Sequence, residues 1–215
     1  MDVLILIPVL LFSFVIHEVA HAWVADRQGD PTARQQGRVT LNPIPHIDLF
    51  GTILVPALLI GSGSGFLIGW ARPVPVVPSN FRNERLGDVL VSIAGVAANF
   101  ALAILCTGAL ILLVHLSRAF AGVANVGGIV EDMLAAGITL NFLLAVFNLL
   151  PIPPLDGSRL LYRALPARMG QGFARIEKYG VLVFVLLLMT GAISWILWPA
   201  RALEGLSRAL IAWST

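Results

Sequence analysis

His17, Glu18 and His21, in the run His17-Glu18-Val19-Ala20-His21, are the residues best suited to chemistry in this chain. Two histidines four positions apart fall on one face of an α-helix, so their imidazoles reach a common point. Neutral imidazole is a good zinc ligand, and a glutamate one position round the helix reaches water at such an ion. His17 and His21 are therefore candidate zinc ligands, and Glu18 is a candidate general base for hydrolysis. The run sits inside an apolar stretch that begins at Val3. Ionisable groups are costly at membrane depth, and where they occur there they mark function.

A catalytic zinc takes three protein ligands and keeps a fourth position open for water. The one cysteine, Cys106, excludes a cysteine zinc site and an intrachain disulfide, and reads as a small apolar residue of a membrane helix. His46, between Pro45 and Ile47, is either a third ligand or, more commonly for such a residue, an ordinary loop histidine. Asp156 closes the stretch Asn148-Leu149-Leu150-Pro151-Ile152-Pro153-Pro154-Leu155-Asp156-Gly157. The prolines end a helix and set the carboxylate on a rigid bend. Asp-Gly reads either as a plain turn or as a third zinc ligand held at fixed depth.

The elements that must position these groups are membrane elements. The chain has 215 residues, of which 58% are hydrophobic and only 12% charged, with mean hydropathy +0.88. Soluble domains carry about 25% charged residues. The composition predicts an all-α polytopic membrane protein, one domain over residues 1–215. A net charge of +2, mostly from arginines in short loops, reads as topology signal, with no nucleic-acid partner. The first helix carries the chemistry and lacks a cleavage signature, so no discarded leader is expected.

Spans are expected at Val3–Val24, Asp88–Leu116, Ile129–Leu150 and Tyr179–Trp198. Residues 50–69 are apolar but broken by Pro56 and a Gly/Ser run, and either cross or dip in and return. Arg38–Leu41 alternates and has β propensity, which predicts a short β-hairpin near the active site, with an edge able to capture an extended substrate. Trp70–Pro78 is proline-rich and extended. Ser92, Ala94, Gly95, Ala97, Ala98 and Ala101 give a small-residue face for helix packing, and Asn99 on the same helix either hydrogen-bonds a ligand or, more commonly for such a residue, contacts a neighbouring helix. Residues 199–213 are amphipathic and are expected on the membrane surface.

Charge decides between the two topologies. If residues 50–69 cross, the fourteen basic residues split eight to six. If they do not, eleven lie on one side and Arg118, Arg201 and Arg208 on the other. Eleven against three is a strong positive-inside bias. It selects four crossings, both termini outside, and puts the histidine motif and Asp156 on the cytoplasmic side.

With the histidine motif and the Asp156 bend in hand, the chain resembles the site-2 protease family of intramembrane zinc metalloproteases (peptidase family M50), in its compact bacterial branch. The stretch Gly69–Val76 and the helix from Ala94 to Asn99 are similar to that branch. The resemblance implies one zinc ion per chain bound by His17, His21 and Asp156, with Glu18 as catalytic base. It implies that Asn148 helps hold or polarise the substrate, a membrane protein cleaved in or near its transmembrane segment. It also implies regulated intramembrane proteolysis in a bacterial cell membrane. Relatives often carry a PDZ or CBS domain, for which this chain has no room. The rival reading is a non-catalytic membrane zinc-binding protein or metal transporter, and no second ligand cluster in the outer half supports it.

Overall fold

The computed structural model describes residues 3–63, 69–119, 121–166 and 179–214. The helices are α1 (Val3–Gln28), the single turn α2 (Thr32–Gln35), α3 (Val55–Gly61), α4 (Glu84–Ala119), α5 (Ala121–Asn148), α6 (Asp156–Ala164), α7 (Gly180–Met189), α8 (Ala192–Ile196) and α9 (Trp198–Ser214). Long Leu/Ile/Val/Ala runs become helices because in lipid each backbone N–H must find its acceptor within the segment. Among the described residues α1, α4 and Gly128–Asn148 of α5 are long and apolar enough to cross a bilayer. Several polar side chains inside them bond back to their own helix. Ser92 Oγ donates to Asp88 O, Thr107 Oγ1 to Ala103 O and Asn148 Nδ2 to Leu144 O.

The chain divides into two compact units, Leu10–Gly95 and Met1–Val9 with Val96–Thr215. The first contains most of α1, the start of α4 and everything between. Its small cores join Ala22, Ala33 and Val74, and Ala25, Phe81 and Val91, with Val76 packed against both. Val74 and Val76 of the extended segment 71–77 thus lie on the C-terminal end of α1.

The apolar segment after residue 48 returns to where it started. A π-helical turn, Leu49–Leu54, leads into α3. Asp48 caps it, accepting from the amides of Phe50 and Gly51 at 3.0 and 2.7 Å. The thirteen residues Leu49–Gly61 span about 20 Å, against a hydrocarbon core of about 30 Å. Trp70 N then donates to Gly51 O at 3.1 Å, and Thr52 Oγ1 donates to Trp70 O at 2.8 Å. The Trp70 indole packs where a Cβ on Gly51 would lie, so that position has to be glycine.

The expected β-hairpin is absent: no strand occurs among the described residues. Arg38–Leu41 is irregular, with Arg38 turned inward onto the carbonyls of Arg72 and Pro73. Thr40 O accepts from His46 Nε2 at 3.0 Å, and the Asn42 side chain accepts from Ile44 N at 3.1 Å. These contacts use the backbone in turns, and tertiary packing overrides the β propensity of Val39 and Thr40.

In the second unit Ala103 and Leu110 of α4, Ile138, Phe142 and Val146 of α5, and Ala200 of α9 form one cluster. Asn99 Nδ2 donates to Asn141 Oδ1 at 2.7 Å in full burial, so Asn99 is the helix-to-helix contact its position suggested. Two expectations change here. Residues 179–198 are not one helix: Gly191, at φ +69°, ends α7 and starts α8. The amphipathic α9 does not lie apart, because its inner face packs along α5. Leu203 and Ile211 join the core cluster, and Thr139 Oγ1 donates to Glu204 Oε1 at 2.9 Å. The same Glu204 Oε1 also accepts from Arg208 Nη2 at 2.6 Å.

Candidate active site

The i, i+4 spacing brings His17 and His21 together on the inner face of α1, both buried. Their Nε2 atoms lie 2.9 Å apart, with the rings edge to face and 4.5 Å between centroids. Two nitrogens on a tetrahedral zinc, at 2.0–2.1 Å each, stand about 3.3 Å apart. The pair therefore needs only a few tenths of an ångström of opening to accept the ion.

Residues on α4 fix this geometry. His21 Nδ1 lies 2.7 Å from Val91 O. A carbonyl only accepts, so Nδ1 carries the hydrogen and Nε2 keeps its lone pair for a metal. One turn further on, Gly95 presents bare backbone to both rings. A Cβ there would lie 2.5 Å from His17 Cε1 and 2.5 Å from His21 Nε2. The glycine is a seat for the imidazoles. Two imidazole nitrogens side by side, that of His21 in a fixed tautomer, in a cradle that a single methyl would fill suit zinc.

Glu18 is half-buried. Its Oε2 accepts from Val74 N at 2.7 Å. Val74 stands between Pro73 and Pro75, which hold the chain extended and carry no N–H of their own. This strap is tied down along its length. Arg72 N donates to His46 O at 2.9 Å, Arg38 Nη2 donates to Arg72 O at 2.5 Å, and Val77 N donates to Asp30 Oδ2 at 2.7 Å. Asp30, wholly buried, also takes hydrogen bonds from Thr32 and from Asn80 Nδ2. Burial alone would raise the Asp30 carboxyl; the hydrogen bonds from Thr32, Val77 and Asn80 outweigh it and hold it below the usual carboxylate range.

His46 is wholly buried and serves the loop. Its Nε2 faces Thr40 O, its carbonyl receives Arg72 N, and its Nδ1 has no hydrogen-bond partner among the described residues. Burial, and secondarily the Arg38 charge, pull its pKa down against the opposing effects of Thr40 and Glu18.

Asp156 and Asn148 belong to the other unit. Asp156 is half-buried and opens α6, so the Asp-Gly pair starts a helix and is no plain turn. Gly157 is glycine because the Leu149 carbonyl packs where its Cβ would be. Asn148 spends one amide hydrogen on Leu144 O at 2.9 Å. The sequence reading missed Gly95 and Val91 as supports for the imidazoles, and Arg38 and Asp30 as anchors of the strap. The Pro-Val-Pro run was the one signal available for Val74.

The sequence profile of peptidase family M50 matches residues 5–191. YwhC of Bacillus subtilis, named a candidate zinc metalloprotease, is 42% identical over 194 residues, covering 90% of this chain and 84% of the relative. Rip2 of Mycolicibacterium smegmatis, named in the same way, is 34% identical over 86% of this chain and 66% of its own length. Rip2 of Mycobacterium tuberculosis is 33% identical over 83% of this chain and 63% of its own. The chain thus spans somewhat under two thirds of the mycobacterial relatives. No solved structure matches it significantly. Three helices fit to cross a bilayer make this a membrane protein, and a profile match over most of its length with a 42% identical relative settles its kinship: the chain belongs to peptidase family M50, the site-2 protease family of intramembrane zinc metalloproteases.

Proposed function

We propose that this chain hydrolyses peptide bonds in or beside the transmembrane segments of membrane proteins, with one zinc ion held by His17, His21 and Asp156, Glu18 as base and Asn148 as a donor to the substrate carbonyl. The observation that carries the reading is the pair of Nε2 atoms 2.9 Å apart, seated on Gly95 with His21 locked by Val91 O. Bound zinc supplies Lewis acidity and brings the ionisation of water to about pH 7. Glu18 takes a proton from the attacking water and returns it to the leaving amine nitrogen, so one water adds across the broken C–N bond. Val74 N–H anchors Oε2 and leaves Oε1 to carry that proton. Asn148 has one amide hydrogen left for a substrate carbonyl as negative charge develops on it. A helical substrate hides its peptide bonds and must unwind locally before any of these groups can act.

The proposed topology has four crossings, the last within residues 180–214, and both termini outside. Residues 49–70 dip in and return, and the zinc lies toward the cytoplasmic face of a bacterial cell membrane. The eleven-to-three split of basic residues supports it, as does the closure of the apolar arm at Gly51 and Trp70. Glu18→Gln keeps the shape of the side chain and removes the base. It is expected to abolish cleavage of a membrane-spanning peptide while zinc content stays at the wild-type level. Turnover by the Gln form would reject Glu18 as the base.

A further inference from the structure

One peptide of the strap is engaged at both ends. The N–H of the Pro73–Val74 peptide donates to Glu18 Oε2 at 2.7 Å, and its carbonyl oxygen accepts from Arg38 Nη2 at 3.3 Å. The same Nη2 donates to the preceding carbonyl, Arg72 O, at 2.5 Å. Arg38 is 5% exposed, a depth where an apolar residue of similar volume often serves stability equally well. Burial, then the Arg72 charge, work against its proton, and Glu18 works for it. Its charge is therefore set between a like group and the carboxylate.

The geometry gives that charge a task. Pro73 and Pro75 restrict φ and leave Val74 the one N–H of the three residues, but they do not fix how the plane between Pro73 and Val74 is turned about the strap. A trans peptide is planar and its C=O and N–H point opposite ways. Gripping the carbonyl from one side therefore aims the N–H to the other, where Glu18 stands. We propose that Arg38 is a positioning residue for the base: by holding the Pro73–Val74 peptide plane it aims Val74 N–H at Glu18 and fixes the rotamer in which the carboxylate works. The inference rests on the reading of Glu18 as base, and it deepens that reading.

A double-mutant cycle on the full chain in detergent, stripped of metal, tests the link without turnover. The thermal midpoints of wild type, Arg38→Met, Glu18→Leu and the double variant are compared. If Arg38 acts on Glu18 through the shared peptide, Arg38→Met costs clearly less in the Glu18→Leu background than in the wild type. Additive shifts overturn the proposal and leave Arg38 a plain loop anchor. In the zinc-loaded protein, cleaving a fluorogenic membrane-spanning peptide, Arg38→Met is expected to lower kcat roughly 10–100-fold with KM and zinc content little changed. Arg38→Lys, which retains a charged donor for one carbonyl, recovers part of that loss. Wild-type kcat in Arg38→Met also overturns the proposal. If the Met form does not fold, Arg38→Lys and Arg38→Gln carry the same cycle. Cleavage by Glu18→Gln would remove the base assignment, while the metal-free cycle still reports whether Arg38 and Glu18 are coupled.

Discussion

Gly95 shows how little side chain the imidazole pair tolerates beside it. A methyl at that position would lie 2.5 Å from an atom of each ring, and neither can retreat freely: His21 is tied to Val91 O and both rings are buried. Gly95→Ala is expected to cost roughly 10–100-fold in zinc affinity, the range seen when the supports of metal ligands are removed. Metal titration of the purified variant measures this, and wild-type affinity would show that the rings are not held as described. His17, Glu18 and His21 were legible in the sequence because ligand type and i, i+4 spacing are local properties. Gly95 was not, since a glycine among alanines on a membrane helix reads as packing, and its partners lie more than seventy residues away. Arg38 was hidden for the same reason: in sequence it opens an alternating stretch of a polar loop and otherwise counts as a topological charge.

Among the elements, the strap at 71–77 is the least regular and, for Glu18, the most consequential. Its extended form follows from its prolines and was readable. Its anchors were not, because they come from Asp30, Arg38 and His46 on a loop whose alternation suggested strands. A strand requires a partner strand, and here the neighbouring backbone at Arg72, Val74 and Val77 is bound to side chains instead. Asp30 makes a prediction at this scale. Its carboxyl is held below its unfolded value of about 3.9. Its stabilising contribution is therefore fully present above that pH and is lost as pH falls through the lower, folded value. Asp30→Asn is expected to be destabilised by about 1–3 kcal/mol at neutral pH. The gap in thermal midpoint between it and the wild type should close as pH falls below about 4. A gap that stays constant into acid would mean that the charge on Asp30 does not hold the strap.

For the whole molecule, composition alone gave the membrane class, and three of the expected spans appear as helices. The return of residues 49–70 was one of two readings and was chosen by charge count. Trp70 meets Gly51, so the two ends of this segment lie together. The break at Gly191 and the packing of α9 along α5 were not readable, since a glycine in an apolar run is tolerated in many helices and an amphipathic face does not name what it packs on. The four-crossing arrangement predicts that a tag after Thr215 is removed by protease added outside intact spheroplasts. A tag degraded only after lysis would refute it. The zinc site itself is tested most directly by metal content. One zinc per purified wild-type chain is expected, lost or greatly weakened in His17→Ala, His21→Ala and Asp156→Ala alike. An Asp156→Ala protein that still holds one zinc at wild-type affinity would contradict it.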